Sequence, residues 1–209
     1  MTHSSANIRL AVVAAALSAA ASLPSIADQG SHPHSPNPEW RPVLQTGLTF
    51  GGDELVEVEV DYVFGGSDDE DIRAGEAFMF GGGALYERGN FQLQATINYF
   101  VDGVFGDNGN ASFTRWPLEL LAFYSTPKWR LGGGPTYHVN PEFELDIDYQ
   151  FDEKASFDDA FGFIIQIEYR FSEKISVGAR FTGIEYETEE TNSVKINGDH
   201  GGLVFSLSI

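Results

Sequence analysis

The chain has 209 residues, a formal charge of −19 at neutral pH and no cysteine. That length suits one domain, and the lack of cysteine excludes a disulfide framework and thiolate metal sites. The acidic excess argues against nucleic acid and anionic headgroups as electrostatic partners, and no apolar run beyond the N-terminus is long enough for a membrane-spanning helix.

Residues 1–27 read as a secretory signal peptide. Arg9 supplies the positive start, "LAVVAAALSAAASL" the apolar stretch, and "SIA" places Ser25 and Ala27 at the small-residue positions before Asp28. Loss of Arg9 with this segment makes the remaining chain one unit more negative. Residues 28–41, "DQGSHPHSPNPEWR", are polar and proline-rich and read as a flexible lead-in. His32 and His34 alternate with prolines here and belong to this tail rather than to a metal site.

From Pro42 onward the pattern is period-2, with no helical periodicity. Eight strands are expected: 42–64, 72–87, 91–104, 113–125, 129–139, 160–171, 175–187 and 201–209. "LVEVEVDYVF" forms the outer half of the first, and "GGSDDED" turns it into the second. The connections "RGN", "TPK" and "SEK" are short. The others are longer or join longer strands, and the acidic 140–159 is the longest. Alternation of tight and long connections is what an up-and-down meander with two different ends requires.

The faces differ in kind. "FQLQATINYF" (91–100) puts Phe91, Leu93, Ala95, Ile97 and Tyr99 on one side and Gln92, Gln94, Thr96 and Asn98 on the other. Residues 160–171 set Phe161, Phe163, Ile165, Ile167 and Tyr169 against Gly162, Ile164, Gln166, Glu168 and Arg170. "GEAFMFGGGALY" is apolar in both registers, so its orientation stays open. Aromatics near both strand ends and an amide- and glycine-rich opposite face favour a membrane barrel over a lipocalin-like one. In hydrocarbon every backbone group must be paired, which only a closed barrel allows a sheet. The expected fold is therefore all-β, an eight-stranded antiparallel up-and-down transmembrane barrel over 42–209.

At this point the chain resembles the small eight-stranded outer-membrane barrels of Gram-negative bacteria, the group of the OmpA transmembrane domain, OmpX and OmpW. The signal peptide, the eight segments, the loop asymmetry and the ending "GGLVFSLSI" carry the likeness. The ending resembles the C-terminal assembly signal of such barrels, with Ile209 where an aromatic is usual. The resemblance implies the cell outer membrane as location. It implies membrane lipid, lipopolysaccharide and the barrel assembly machinery as partners.

Candidate site residues follow from the inward face. Arg115, Glu119, Arg130, Glu168, Arg170 and Arg180 are expected in the bore, because an arginine at mid-membrane on the lipid side costs about 2–4 kcal/mol. Pairing across "SEK" sets Glu168 opposite Gly178, so a Glu168–Arg180 pair with Arg170 beside it is expected. Such charges line a gate or, in so narrow a barrel, fill it. Glu144, Asp146 and Asp148 are weak candidates for a divalent cation, an oxygen-seeking ligand that would bridge the loops to lipopolysaccharide phosphates. The bland reading of the same acid is a solvated surface that deters edge pairing.

No cofactor is called for. The expected role is structural or surface-interacting. A narrow conduit for small solutes or hydrophobic molecules is one alternative; Leu121, Phe123 and Ile164 are the apolar residues expected inside. A lipid A-modifying enzyme is the other, with His138, His200, Ser206 and Ser208 as its raw material. These residues do not form the pattern such a deacylase resembles.

Overall fold

A computed structural model describes residues 8–9, 38–61, 67–106, 109–147, 151–188 and 194–209. The expected signal peptide and lead-in therefore lie largely outside the described residues, as do His32 and His34. Eight strands build a closed antiparallel barrel. They are β1 Glu39–Gly51, β2 Ala77–Arg88, β3 Phe91–Gly106, β4 Gly109–Ser125, β5 Trp129–Ile147, β6 Ala160–Arg170, β7 Ile175–Glu187 and β8 His200–Ser208. Each pairs with the next. β8 pairs back onto β1, from Ser208↔Val43 to His200↔Gly51, which closes the ring.

The alternating faces resolve as the membrane reading requires. On β6, Phe161 is 70% exposed and Ile165 56%, whereas Ile164, Gln166 and Glu168 are wholly buried. On β3, Phe91 and Ile97 face out and Gln92, Gln94, Thr96 and Asn98 face in. The ambiguous β2 turns Phe78 and Phe80 outward, with Ala77 and Met79 inside. An aliphatic or aromatic side chain left in water forgoes about 1.5–3 kcal/mol. A continuous belt of them far exceeds the patches soluble monomers show. Aromatics edge the belt at both rims. At the short-turn rim, Trp40 meets Tyr86 at 5.1 Å, Trp129 meets Tyr169 at 5.0 Å and Tyr169 meets Phe171 at 5.1 Å. At the other rim, Phe80 meets Tyr99 at 5.5 Å and Tyr99 meets Trp116 at 4.7 Å. Such rows mark the two interfaces.

Several boundaries differ from expectation. β1 starts at Glu39, ahead of Pro42, because Trp40 pairs with Tyr86 and Glu39 with Glu87. It does not run to residue 64. Gly51 and Gly52 have φ of +123° and +82°, a region that glycine alone enters readily, and the strand breaks there. A side chain at Gly52 would also meet the Gly75 backbone nitrogen at 2.3 Å. The outer half is a separate hairpin, Glu54–Asp61 with Ser67–Arg73, so part of the expected turn is itself strand.

The connection 140–159 is also folded. β5 continues past a left-handed Asn140 (φ 51°) to Ile147 and pairs with Phe151–Ser156. A shorter strand, Lys195–Asn197, pairs with the end of β7. The outer strands thus stand beyond the belt as a β-structured extension.

Candidate functional site

Four tiers of inward side chains line the bore between the short-turn rim and the outer extension. Arg170 lies lowest. Its Nη1 donates to Ser125 Oγ at 2.9 Å and to the Thr126 carbonyl at 3.2 Å. Beside it Gln92 Nε2 donates to Glu87 at 2.7 Å.

The second tier is an ion pair. Arg130 Nη2 reaches Glu168 Oε1 at 2.6 Å, with both side chains sealed from solvent. Arg130 also donates to Gln94 at 3.1 Å and Ser206 at 3.3 Å, and its guanidinium lies 4.4 Å from the centre of the Phe123 ring. Glu168 accepts further bonds from Gln166 and Ser176. These neutral donors spread the carboxylate charge where water is excluded.

The third tier repeats the chemistry between the two strands that flank β5 and β6. Arg180 on β7 reaches Glu119 on β4 at 2.6 Å, and neither side chain has any exposure. Thr96 Oγ1 donates to the other Glu119 oxygen at 3.4 Å.

The fourth tier holds Arg115 between two rings, 4.7 Å from the Phe113 centre and 5.2 Å from that of Phe100. Its Nη2 donates to the Glu76 carbonyl at 3.4 Å. His138 Nδ1 bonds the Tyr186 hydroxyl at 2.7 Å, and His200 Nδ1 donates to the Gly198 carbonyl at 2.7 Å.

Above this tier sits an apolar cap. Ile72, Ala74, Ala111, Phe113, Phe157, Ala160, Ile184 and Tyr186 form a buried cluster, backed by Leu55, Phe143, Leu145 and Ile196. It draws on the outer hairpin, the extensions of β4 and β5, and the segment around Lys195–Asn197. Sequence reading missed it because those stretches are so acidic. The signal was present in "VNPEFELDI", where Phe143, Leu145 and Ile147 alternate with acids.

All six predicted bore residues are buried and face inward. Their pairing differs from expectation. Glu168 does lie opposite Gly178, which leaves Arg180 diagonal to it. Glu168 instead takes Arg130, its direct cross-strand partner on β5, while Arg180 crosses the bore to Glu119. The long 140–159 connection hid the β5–β6 register from sequence, so the closer partner went unseen. Arg170 binds the β4–β5 turn rather than Glu168. Bore glycines make the room. A Cβ on Gly178 would fall 2.5 Å from Glu168 Cγ, and one on Gly132 would fall 2.6 Å from the Phe123 ring.

The weak cation candidates stand apart. Lys154 Nζ holds Glu142 at 2.5 Å and Glu144 at 3.0 Å. The Lys154 hydrogen bond, helped by that of Glu142, holds the Glu144 carboxyl below its ordinary range; the same glutamates raise the Lys154 ammonium. Asp146 contributes backbone to β5, opposite Asp152, but its side chain and all of Asp148 lie outside the described residues. Among the described residues no three acids or histidines gather as a metal site. Ser206 Oγ is engaged by Gln45 and Arg130 rather than by a histidine.

A closed eight-stranded antiparallel barrel with an apolar exterior, aromatic rims and an ion-paired interior is the architecture of the small transmembrane β-barrels. No protein-family model matches the chain, and no curated protein matches its sequence. Among solved structures it is similar to Neisserial surface protein A (NspA), at 9% identity and a TM-score of 0.47, over 83% of this chain and 98% of that one. It is also similar to Ail, the attachment invasion locus protein of Yersinia pestis, at 9% identity and a TM-score of 0.48, over 82% and 96%.

Proposed function

We propose that the protein is an integral outer-membrane barrel with a structural or surface-interaction role, closed by its own side chains and presenting its acidic strands outward. One observation carries this reading: the charged residues Arg130, Glu168, Arg180 and Glu119 are sealed inside while Phe161, Phe163 and Ile165 lie bare outside. An eight-stranded barrel is only wide enough for its own side chains, and the Arg180–Glu119 pair, which crosses the bore beneath the apolar cap, supports a closed lumen. The partners this reading names are membrane lipid, lipopolysaccharide and the assembly machinery that receives strand β8. Divalent cations would join the outer acids to lipopolysaccharide phosphates.

Two measurements test it. Detergent-folded protein should migrate as a compact, heat-modifiable band and should give no steady current in planar bilayers. A steady unitary current would replace this reading with that of a conduit. Lipid A from cells with and without the protein should carry the same acyl chains by mass spectrometry; a changed acyl pattern would make the protein an enzyme.

A further inference from the structure

The two ends of the molecule differ in charge. At the outer end, the described lysines are neutralised: Lys154 by Glu142 and Glu144, and Lys195 by Glu185 at 2.6 Å. At the short-turn end the balance reverses. Each turn carries an exposed cation: Arg88 where β2 ends, Lys128 between β4 and β5, and Lys174 between β6 and β7. None of the three side chains has an ion-pair partner among the described residues. Nearby carboxylates are few. Arg41 holds Glu39 at 2.8 Å, Glu87 is buried against Gln92, and Glu173 is the only acid within the turns.

The turns hold these cations in place. Gly89 adopts φ +61° beside Arg88. Thr126 Oγ1 accepts the Trp129 N–H at 3.0 Å and donates to the Trp129 carbonyl at 2.9 Å, fixing the loop that bears Lys128. Ser172 Oγ accepts the N–H groups of Lys174 and Ile175 at 3.2 and 3.1 Å. Rim aromatics flank every site: Tyr86 and Phe91 near Arg88, Trp129 next to Lys128, and Phe171 before Lys174. Such rings settle at the headgroup level, so cations at their edge lie at the depth of lipid phosphates, within reach of long flexible stems.

We propose that Arg88, Lys128 and Lys174 form a collar that holds the phosphate-bearing headgroups of anionic phospholipids in the leaflet at the short-turn end. The collar rests on the membrane-barrel reading. Whole-chain acidity argues against such lipids, but the outer acid lies beyond an apolar band about 25 Å tall. That is more than twice the Debye length of about 8–10 Å at physiological salt, so it does not cancel the collar's attraction.

The test uses the folded protein with Trp40→Phe and Trp116→Phe, which leaves Trp129 beside Lys128. Its fluorescence is read in vesicles of phosphatidylcholine and phosphatidylglycerol, with one or the other lipid brominated as quencher. The collar predicts about fivefold preference for phosphatidylglycerol around Trp129, the weight of one basic residue at a charged bilayer surface. That preference should vanish when Arg88→Gln, Lys128→Gln and Lys174→Gln are added, all exposed positions that leave the bore untouched. A companion protein retaining only Trp116, at the far rim, should show no preference. Equal quenching by the two lipids at Trp129 in a heat-modifiable barrel would overturn the collar alone. Preference surviving in the triple variant would assign it to the aromatic rim and overturn the collar too. Failure to form a barrel in either lipid would sink the membrane reading and the collar with it.

Discussion

The Arg180–Glu119 pair offers the sharpest energetic test. Its atoms lie 2.6 Å apart with no exposure on either side chain. At an effective dielectric near 20, that separation gives a gross attraction on the order of 6 kcal/mol. Desolvation offsets much of it, and removing one partner from a buried pair typically costs about 3–5 kcal/mol. Arg180→Met leaves Glu119 with the 3.4 Å Thr96 bond and no cation in contact. The unfolding equilibrium should therefore shift by about two to three and a half decades, at about 1.4 kcal/mol per decade. Adding Glu119→Gln removes the stranded charge, and the double variant should return to within about 1 kcal/mol of the parent, because a neutral replacement of both partners is often nearly neutral overall. Reversible urea unfolding in phospholipid vesicles, followed by tryptophan fluorescence, measures all three. If Arg180→Met alone cost under about 1 kcal/mol, the value of an exposed ion pair, the bore would be hydrated and the reasoning wrong.

Phe113→Ala in the cap should cost about 3–5 kcal/mol locally. It should speed amide exchange in the outer hairpins while leaving protection at the belt strands intact; uniform loss of protection would mean that cap and barrel unfold as one unit. Gly178→Val would push a branched side chain against Glu168 Cγ and should destabilise the barrel by about 1–3 kcal/mol or more, read as a lower urea midpoint. The Glu144 carboxyl should titrate below its ordinary range by NMR, and Lys154→Met should move it back toward that range, leaving the smaller lowering by Glu142. Because its folded-state value is lowered, its contribution is present above the ordinary carboxylate range and lost as pH falls through the lowered value. For Lys195, raised by Glu185, the sign reverses: the contribution is full below the ordinary lysine value and lost as pH climbs through the raised one.

The belt and the inward charges were legible because they depend only on period-2 alternation, which survives errors in strand boundaries. Phe163 and Ile165 could face only one way once Glu168 and Arg170 faced the other. Ion-pair partners were not legible, because they depend on register between strands far apart in sequence. The short "SEK" turn fixed Glu168 opposite Gly178, whereas nothing local fixed Arg130 opposite Glu168. The outer hairpins were hidden differently. In "SDDEDIR" and "EFELDIDYQFDEK" the density of acid suggested solvated loop, yet cross-strand pairing tolerates charge on one face when the other supplies residues such as Ile72 and Phe143 to a core. The break at Gly51–Gly52 was signalled by the glycine pair itself, inside what otherwise read as one long strand.

The central claim is the direction of the alternating faces. The chain has no native cysteine, so single nitroxide labels at Phe163→Cys, Ile165→Cys and Ile167→Cys report without interference. In phospholipid vesicles all three should be relaxed strongly by dissolved oxygen and weakly by a water-soluble nickel chelate, while a label at Glu185→Cys shows the opposite. Labels at 163, 165 and 167 that neither reagent reaches, as in a protein interior, would contradict the account.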